Sequence, residues 1–158
     1  MNGTIESALS VYIDTNIFIY SIEGTAETAE PARKLMRFLR NNPGIAVTSE
    51  ITLAESLAPT KRQDALPLPV KRRVYLDLLV GSRAVELVPV SREILIETAE
   101  LRTVANLKLP DAIHLATAAR MRCRSLVCED GDFKDLPDGM TRVRPTMQAI
   151  DDLLKDLT

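Results

Sequence analysis

The stretch VYIDTNIFIY, residues 11–20, contains one carboxylate, Asp14, among residues that are almost all apolar or aromatic. Short apolar runs of this kind are typical of strands that are buried on both faces of a parallel sheet. We therefore interpret SVYID (10–14) as a buried strand with Asp14 at its carboxyl end. A carboxylate in such a setting loses solvation, so it needs a partner that the rest of the chain must supply.

The period of the apolar pattern changes repeatedly along the chain. It predicts further strands at 44–49, 84–90, 124–128 and 141–143, and helices at 28–42, 50–58, 69–81, 109–123 and from Thr146 onward, with another after Ser91. The segment APTKRQDALPLP (58–69) is polar with three prolines, which indicates a loop or the tip of a hairpin. Strands that alternate with helices predict an α/β fold, a central and mainly parallel twisted sheet with helices on both faces. We expect a single domain over residues 1–158.

The composition is that of a soluble globular protein, with 46% apolar and 27% charged residues in 158. No secretory signal and no apolar run long enough for a membrane span is visible, so we expect a cytoplasmic protein without membrane contact. The single histidine, His114, excludes a zinc site built from several histidines. The two cysteines, Cys123 and Cys128, do not make a disulfide framework.

Bulk charge does not identify a partner, because 20 basic residues face 22 acidic ones and the net charge is −2. Local clusters of basic residues are the candidates for contacts to phosphate groups. For each cluster taken alone, a solvated helix face is the favoured interpretation. These clusters are Arg33, Lys34, Arg37 and Arg40; Lys71 to Arg73; and Arg120, Arg122 and Arg124.

Four carboxylates occupy positions that solvated acids rarely take: Asp14, Glu55, Asp111 and Asp130. Glu55 flanks an apolar helix face, Asp111 begins an uncharged helix, and Asp130 lies in the turn CEDGDF after a strand. Asp14 and Asp130 both follow parallel strands, so we expect them at the same edge of the sheet. Each acid alone has an ordinary alternative, such as a helix cap, a turn residue or an exposed helix acid.

Carboxylates that converge at one edge repel one another and lose solvation, and both effects disfavour ionisation. A divalent cation removes this conflict, and a site of oxygen ligands alone suits Mg²⁺ or Mn²⁺. Metal ions held by acids are the usual apparatus of phosphodiester hydrolysis. The four acids therefore indicate metal-dependent hydrolysis.

At these residues the chain resembles the PIN-domain ribonucleases, and among them the VapC-like toxins of toxin–antitoxin pairs. The motifs that carry the resemblance, in this order, are IDTNIFIY, TLAES, LPDAIHLATA and VCEDGDF. The resemblance implies a PIN-like three-layer fold and a Mg²⁺-dependent endoribonuclease, with Mn²⁺ as an alternative ion. It implies an RNA substrate, a cognate antitoxin and a homodimer.

The family's acidic cluster falls on Asp14, Glu55, Asp111 and Asp130 as catalytic residues and metal ligands. The auxiliary residues by the same resemblance are Asp132, Thr15 and Asn16. One departure is Cys128, which stands where the family often has Thr or Ser, two residues before the fourth acid. A thiol is a poorer hydrogen-bonding group than a hydroxyl.

His114 lies three residues after Asp111 on the same helix, where it could shuttle protons. We favour a hydrogen-bonded packing role for it. A phosphatase of the haloacid-dehalogenase type needs a second Asp where this chain has Asn16, and the chain does not meet the pattern of a receiver domain well. The serious alternative is a PIN fold that binds RNA or protein with little catalysis.

Overall fold

The computed structural model describes residues 11–63, 65–129, 131, 133 and 135–158. Its strands are β1 (Val11–Ile13), β2 (Ala46–Ser49), β3 (Glu86–Val88), β4 (Ser125–Val127) and β5 (Thr141–Val143). They form one sheet in the order β3-β2-β1-β4-β5, and every neighbouring pair is parallel. The parallel sheet predicted from the alternation of strands and helices is confirmed.

The helices are α1 (Thr15–Glu23), α2 (Ala26–Asn41), α3 (Ile51–Leu57), α4 (Leu68–Leu76), α5 (Arg92–Val104), α6 (Leu109–Arg120) and α7 (Met147–Leu157). A π-helical turn, Asp77–Gly81, continues α4. Within the residues given above, no helix is both long and apolar enough to cross a membrane.

The alternation of side chains along the strands divides the core into two clusters. Val11 and Ile13 pack with residues of α1, α2 and α7, whereas Tyr12 packs with residues of α5 and α6. In β4, Val127 joins the first cluster and Leu126 the second. Helices therefore cover both faces of the sheet, which is the three-layer arrangement that the resemblance implies.

Local signals in the sequence predicted several helix ends. Ser91 and Thr146 cap α5 and α7, because their hydroxyl groups accept hydrogen bonds from the third backbone N–H of each helix. Pro110 lies in the first turn of α6, as predicted. The second helix begins at Ala26 and not at residue 28, because Thr25 and Thr28 form a capping box. The helix α1 was not assigned from the sequence, although Asp14 occupies the N-cap position in front of it.

The basic clusters do not form uniform charged surfaces. Lys71 is buried, and its ammonium group donates a hydrogen bond of 2.7 Å to the carbonyl oxygen of Ala58. Lys34 pairs with Asp151. Arg72 remains exposed, so the cluster at 71–73 is divided between packing and solvent.

The order of the strands reverses between β1 and β4. From β1 the chain adds β2 and β3 on one side, then crosses to add β4 and β5 on the other. The backbone N–H of Asp14 donates to the carbonyl oxygen of Val127 at 3.0 Å, which joins the carboxyl ends of these two strands. Such a reversal point is where open parallel sheets form their sites.

Candidate active site

Asp14 is the first residue after β1 and is almost completely buried, with 5% of its surface exposed. Its side chain makes no capping hydrogen bond to α1, so the capping explanation of this residue does not hold. The pKa of Asp14 is raised to about 6, chiefly by burial and to a smaller extent by the charges of Glu55 and Asp111. His114 and the backbone N–H of Thr15 act in the opposite direction. Asp14 is thus a carboxylate that the metal-free fold disfavours in its charged form.

Glu55 lies on α3, and one third of its side chain is exposed. Its Oε1 atom lies 2.6 Å from His114 Nε2 and accepts a hydrogen bond of 2.8 Å from the Thr15 hydroxyl. Burial opposes the ionisation of Glu55, but the hydrogen bonds from His114 and Thr15 and the charge of His114 bring its pKa below the ordinary value. Glu55 is therefore not an exposed helix acid but an ionised carboxylate held by two side chains.

His114 stands between the strand β1 and the acids. Its Nδ1 atom lies 2.6 Å from the Tyr12 hydroxyl, and its Nε2 atom lies 3.7 Å from Asp14 Oδ1. The residue is 1% exposed, in agreement with the buried α6 that the sequence predicts. The imidazole is hydrogen-bonded as expected, but its partners are the residues of this site and not only the core.

Threonine hydroxyls fill the space behind the acids. Thr15 Oγ1 lies 3.2 Å from Thr52 Oγ1, and Thr52 Oγ1 lies 2.8 Å from Thr48 Oγ1. Thr48 donates to the carbonyl oxygen of Ile13 at 2.8 Å. All three threonines are buried. This connected set of hydroxyls fixes the orientation of Thr15, which in turn contacts Glu55.

The remaining predicted residues differ in how far the structure describes them. Asp111 is half-buried in the first turn of α6, and its charge acts on Asp14. Asn16 is exposed on the first turn of α1. Asp130 and Asp132 lie outside the described residues.

Within the described part of the chain, no three His, Cys, Asp or Glu side chains converge closely enough to hold a metal ion together. Asp14 and Glu55 instead both lie close to His114, and the charges of Glu55 and Asp111 act on Asp14. The predicted ligands offer only oxygen atoms, and the charges of Glu55 and Asp111 oppose the ionisation of the buried Asp14. Both features fit a hard divalent cation, which would relieve the repulsion.

The sequence analysis missed Tyr12 as a member of this site. The signal was present, because a buried phenol hydroxyl and a buried imidazole each need a hydrogen-bond partner. The two residues lie 102 positions apart, so only the packing of α6 against β1 brings them together.

Cys128 follows β4 and is completely buried in the same core cluster as Tyr12. Its backbone N–H donates to the carbonyl oxygen of Val143 at 3.1 Å. The position at which the family often has a hydroxyl is therefore a core position in this protein.

Comparison with solved structures gives several similar chains. One is a toxin–antitoxin complex from Klebsiella pneumoniae, with 28% identity and a TM-score of 0.62, over 86% of this chain and 98% of that chain. VapBC2 from Rickettsia felis, bound to a DNA fragment from its promoter, matches with 20% identity and a TM-score of 0.61, over 85% and 97%. FitAB bound to an IR36 DNA fragment matches with 18% identity and a TM-score of 0.59, over 85% and 94%. The last two likenesses concern the fold alone.

A comparison with proteins of curated function gives no match. Residues 11–139, by contrast, match the PIN domain family. This range contains the strands β1 to β4 and the four acids predicted as site residues, but not β5. It covers most of the chain. The chain belongs to the PIN domain family.

Proposed function

We propose that this PIN domain is a divalent-metal-dependent endoribonuclease that hydrolyses RNA phosphodiester bonds as the toxin of a toxin–antitoxin pair. The observation that carries the proposal is the buried Asp14 at the reversal point of the sheet, with Glu55 and Asp111 acting on its ionisation. An acid whose pKa burial raises to about 6 serves no evident purpose in packing. It is explained by a cation that the fold is built to receive.

The proposed ligands of Mg²⁺ or Mn²⁺ are Asp14, Glu55, Asp111 and Asp130, with Asp132, Thr15 and Asn16 as auxiliaries. A bound divalent cation supplies water activation and charge stabilisation in phosphodiester hydrolysis. The residues of the chain bind and orient: Thr15 and His114 hold the carboxylate of Glu55, and the burial of Asp14 keeps bulk water away from that side chain.

The proposed partner is a cognate antitoxin. The Klebsiella pneumoniae structure supports it, because that structure is a toxin–antitoxin complex and 98% of its matched chain is covered at 28% identity. A homodimer stays a prediction from the resemblance. Co-expression with the product of the adjacent reading frame, followed by measurement of the mass of the purified complex, tests both.

The assay for the enzymatic proposal is cleavage of generic RNA by the purified protein with Mg²⁺ or Mn²⁺, and with excess chelator. We expect cleavage with either ion and none with chelator. Cleavage that persists unchanged in chelator contradicts the metal-dependent mechanism.

The second candidate is a binding module with the same fold and little catalysis. Cys128 favours it, because a buried thiol replaces the hydroxyl that is frequent in the family. RNA that is bound with Mg²⁺ present but not cut supports this candidate. Cleavage that Asp14→Asn abolishes supports the nuclease.

A further inference from the structure

The hydrogen bonds of Glu55 are unequally divided between its two oxygen atoms. Among the described residues, both hydrogen bonds of this carboxylate end on Oε1, one from Thr15 and one at His114 Nε2. Glu23 offers a contrast, because its Oε1 accepts from the backbone N–H of Leu66 and its Oε2 from the Tyr75 hydroxyl. Among the described residues, Oε1 is therefore the oxygen of Glu55 that other side chains hold.

The proton of the imidazole follows from its two neighbours. An ionised carboxylate only accepts hydrogen bonds, so His114 Nε2 carries a proton toward Glu55. On the other side, the Tyr12 oxygen already accepts from the backbone N–H of Ser49 at 3.0 Å. The Tyr12 hydroxyl can in turn donate its own proton to His114 Nδ1, which lies 2.6 Å away. Burial raises the pKa of Tyr12 well above its ordinary value, so the phenol keeps that proton.

We propose that Tyr12 and His114 are positioning residues for Glu55: the Tyr12 hydroxyl holds the imidazole at Nδ1, and His114 Nε2 holds Glu55 Oε1 and so orients this carboxylate at the proposed cation site. This inference rests on the proposed metal-dependent function. It assigns the single histidine to the orientation of a ligand, and not to proton transfer. Residues that orient a metal ligand typically contribute 10- to 100-fold to metal affinity.

The first measurement needs no variant. Because the chain contains one histidine, long-range ¹H–¹⁵N spectra of the untagged protein report His114 alone. We expect a proton on Nε2, because this nitrogen lies 2.6 Å from a carboxylate oxygen that only accepts. An Nε2 that carries no proton overturns the proposal.

The second measurement is the affinity for Mn²⁺ alone, followed through the electron paramagnetic resonance signal of the free ion. We expect His114→Leu to weaken binding by about 10- to 100-fold. Tyr12→Phe, which keeps the ring and removes the hydroxyl, should weaken it by a smaller factor and shift the Nδ1 resonance in the corresponding spectra, because the hydroxyl lies 2.6 Å from that nitrogen. His114→Gln, which can still donate to Glu55, should recover part of the affinity.

The matched control is Tyr75→Phe, which removes the hydroxyl of another completely buried tyrosine that also leads to a glutamate. It should lower the melting temperature and leave Mn²⁺ affinity unchanged. Equal affinities in the original protein, Tyr12→Phe and His114→Leu overturn the positioning role while the nuclease proposal stands. Failure of the original protein to bind Mn²⁺ overturns both.

Discussion

Tyr12 and Tyr75 are both completely buried, and the hydroxyl group of each leads to a glutamate carboxylate. Tyr75 donates directly to Glu23 at 2.6 Å, and the second oxygen of Glu23 accepts from a backbone N–H, so that carboxylate is used entirely by the fold. Tyr12 reaches Glu55 through His114, and the described hydrogen bonds leave one oxygen of Glu55 unused.

The Tyr75 corner (Tyr75 and Glu23) contains a structural carboxylate, whereas the Tyr12 corner (Tyr12, His114 and Glu55) contains the carboxylate that we propose as a metal ligand. Both phenols have a raised pKa, from burial in each case and at Tyr75 also from the bond to Glu23 and its charge. Among the described residues, only the Tyr12 corner contains a second, buried acid, Asp14, whose own pKa is raised. A carboxylate that only stabilises the fold can be replaced at a modest cost in stability, whereas replacing a carboxylate that binds a ligand should first abolish function.

The largest expected effect is at Asp14. Asp14→Asn should abolish RNA cleavage, because it removes the charge of the most buried of the described acids at the proposed cation site. Cleavage is measured on the same RNA with saturating Mg²⁺, and folding is checked by circular dichroism. A folded variant that cleaves at the original rate places the chemistry elsewhere.

Glu55→Gln and Glu23→Gln compare the two corners directly. We expect Glu55→Gln to lower the cleavage rate by more than about 100-fold. Residues that only orient a metal ligand typically contribute about 10- to 100-fold, so a larger loss indicates that Glu55 is itself a ligand. Glu23→Gln should leave cleavage unchanged and cost about 1 kcal/mol in the free energy of unfolding, since it weakens the hydrogen bond from Tyr75. Equal losses of cleavage in the two variants remove the distinction between the corners.

The features of the fold and of the candidate site that depend on short stretches of sequence could be predicted. The position of Asp14 after a buried strand, the capped helices at Ser91 and Thr146 and the parallel sheet all follow from short stretches of residues. Contacts between distant residues could not be predicted in the same way. The pairing of Tyr12 with His114 depends on how α6 packs on the sheet.

The burial of Lys71 was likewise hidden from the sequence. Lysine is almost always at the surface, and only the carbonyl group of Ala58 at the end of α3 makes its burial acceptable. A pattern of basic residues reports charge but not the partners that the fold provides. The neutralisation of phosphate groups at this cluster is therefore expected from Arg72 and Arg73, which are exposed.

The stability of the metal-free protein should depend on pH through Asp14. Burial raises the pKa of Asp14 from 3.8 to about 6, so the folded state binds this proton more tightly than the unfolded state does. The stabilisation is complete below about pH 4 and is lost as the pH rises through about 6. At pH 8, Asp14→Asn should be more stable than the original protein by about 1–3 kcal/mol, and the two should converge near pH 4.

Chemical denaturation with chelator at several pH values measures this difference. Added Mg²⁺ should raise the melting temperature of the original protein and do so much less for the variant, because only the intact site binds the ion. If Asp14→Asn is instead less stable at pH 8 and Mg²⁺ changes neither melt, Asp14 has a structural role like that of Glu23.

The smallest expected effect concerns Cys128, which lies in the same core cluster as Tyr12. If the missing hydroxyl limits catalysis, Cys128→Thr should raise the cleavage rate by up to about tenfold without changing the pattern of products. Because the position is completely buried, the same change should lower stability by about 1–3 kcal/mol unless the hydroxyl finds an acceptor.

Cys123→Thr is the matched control, since Cys123 is also buried but precedes β4 at the opposite end of that strand from the acids. It should lose stability without any gain in rate. A Cys128→Thr protein that is no faster than the original shows that the hydroxyl is dispensable here. A gain in rate that occurs in Cys128→Thr and not in Cys123→Thr indicates that the side chain after β4 contributes to the proposed site together with Tyr12 and His114.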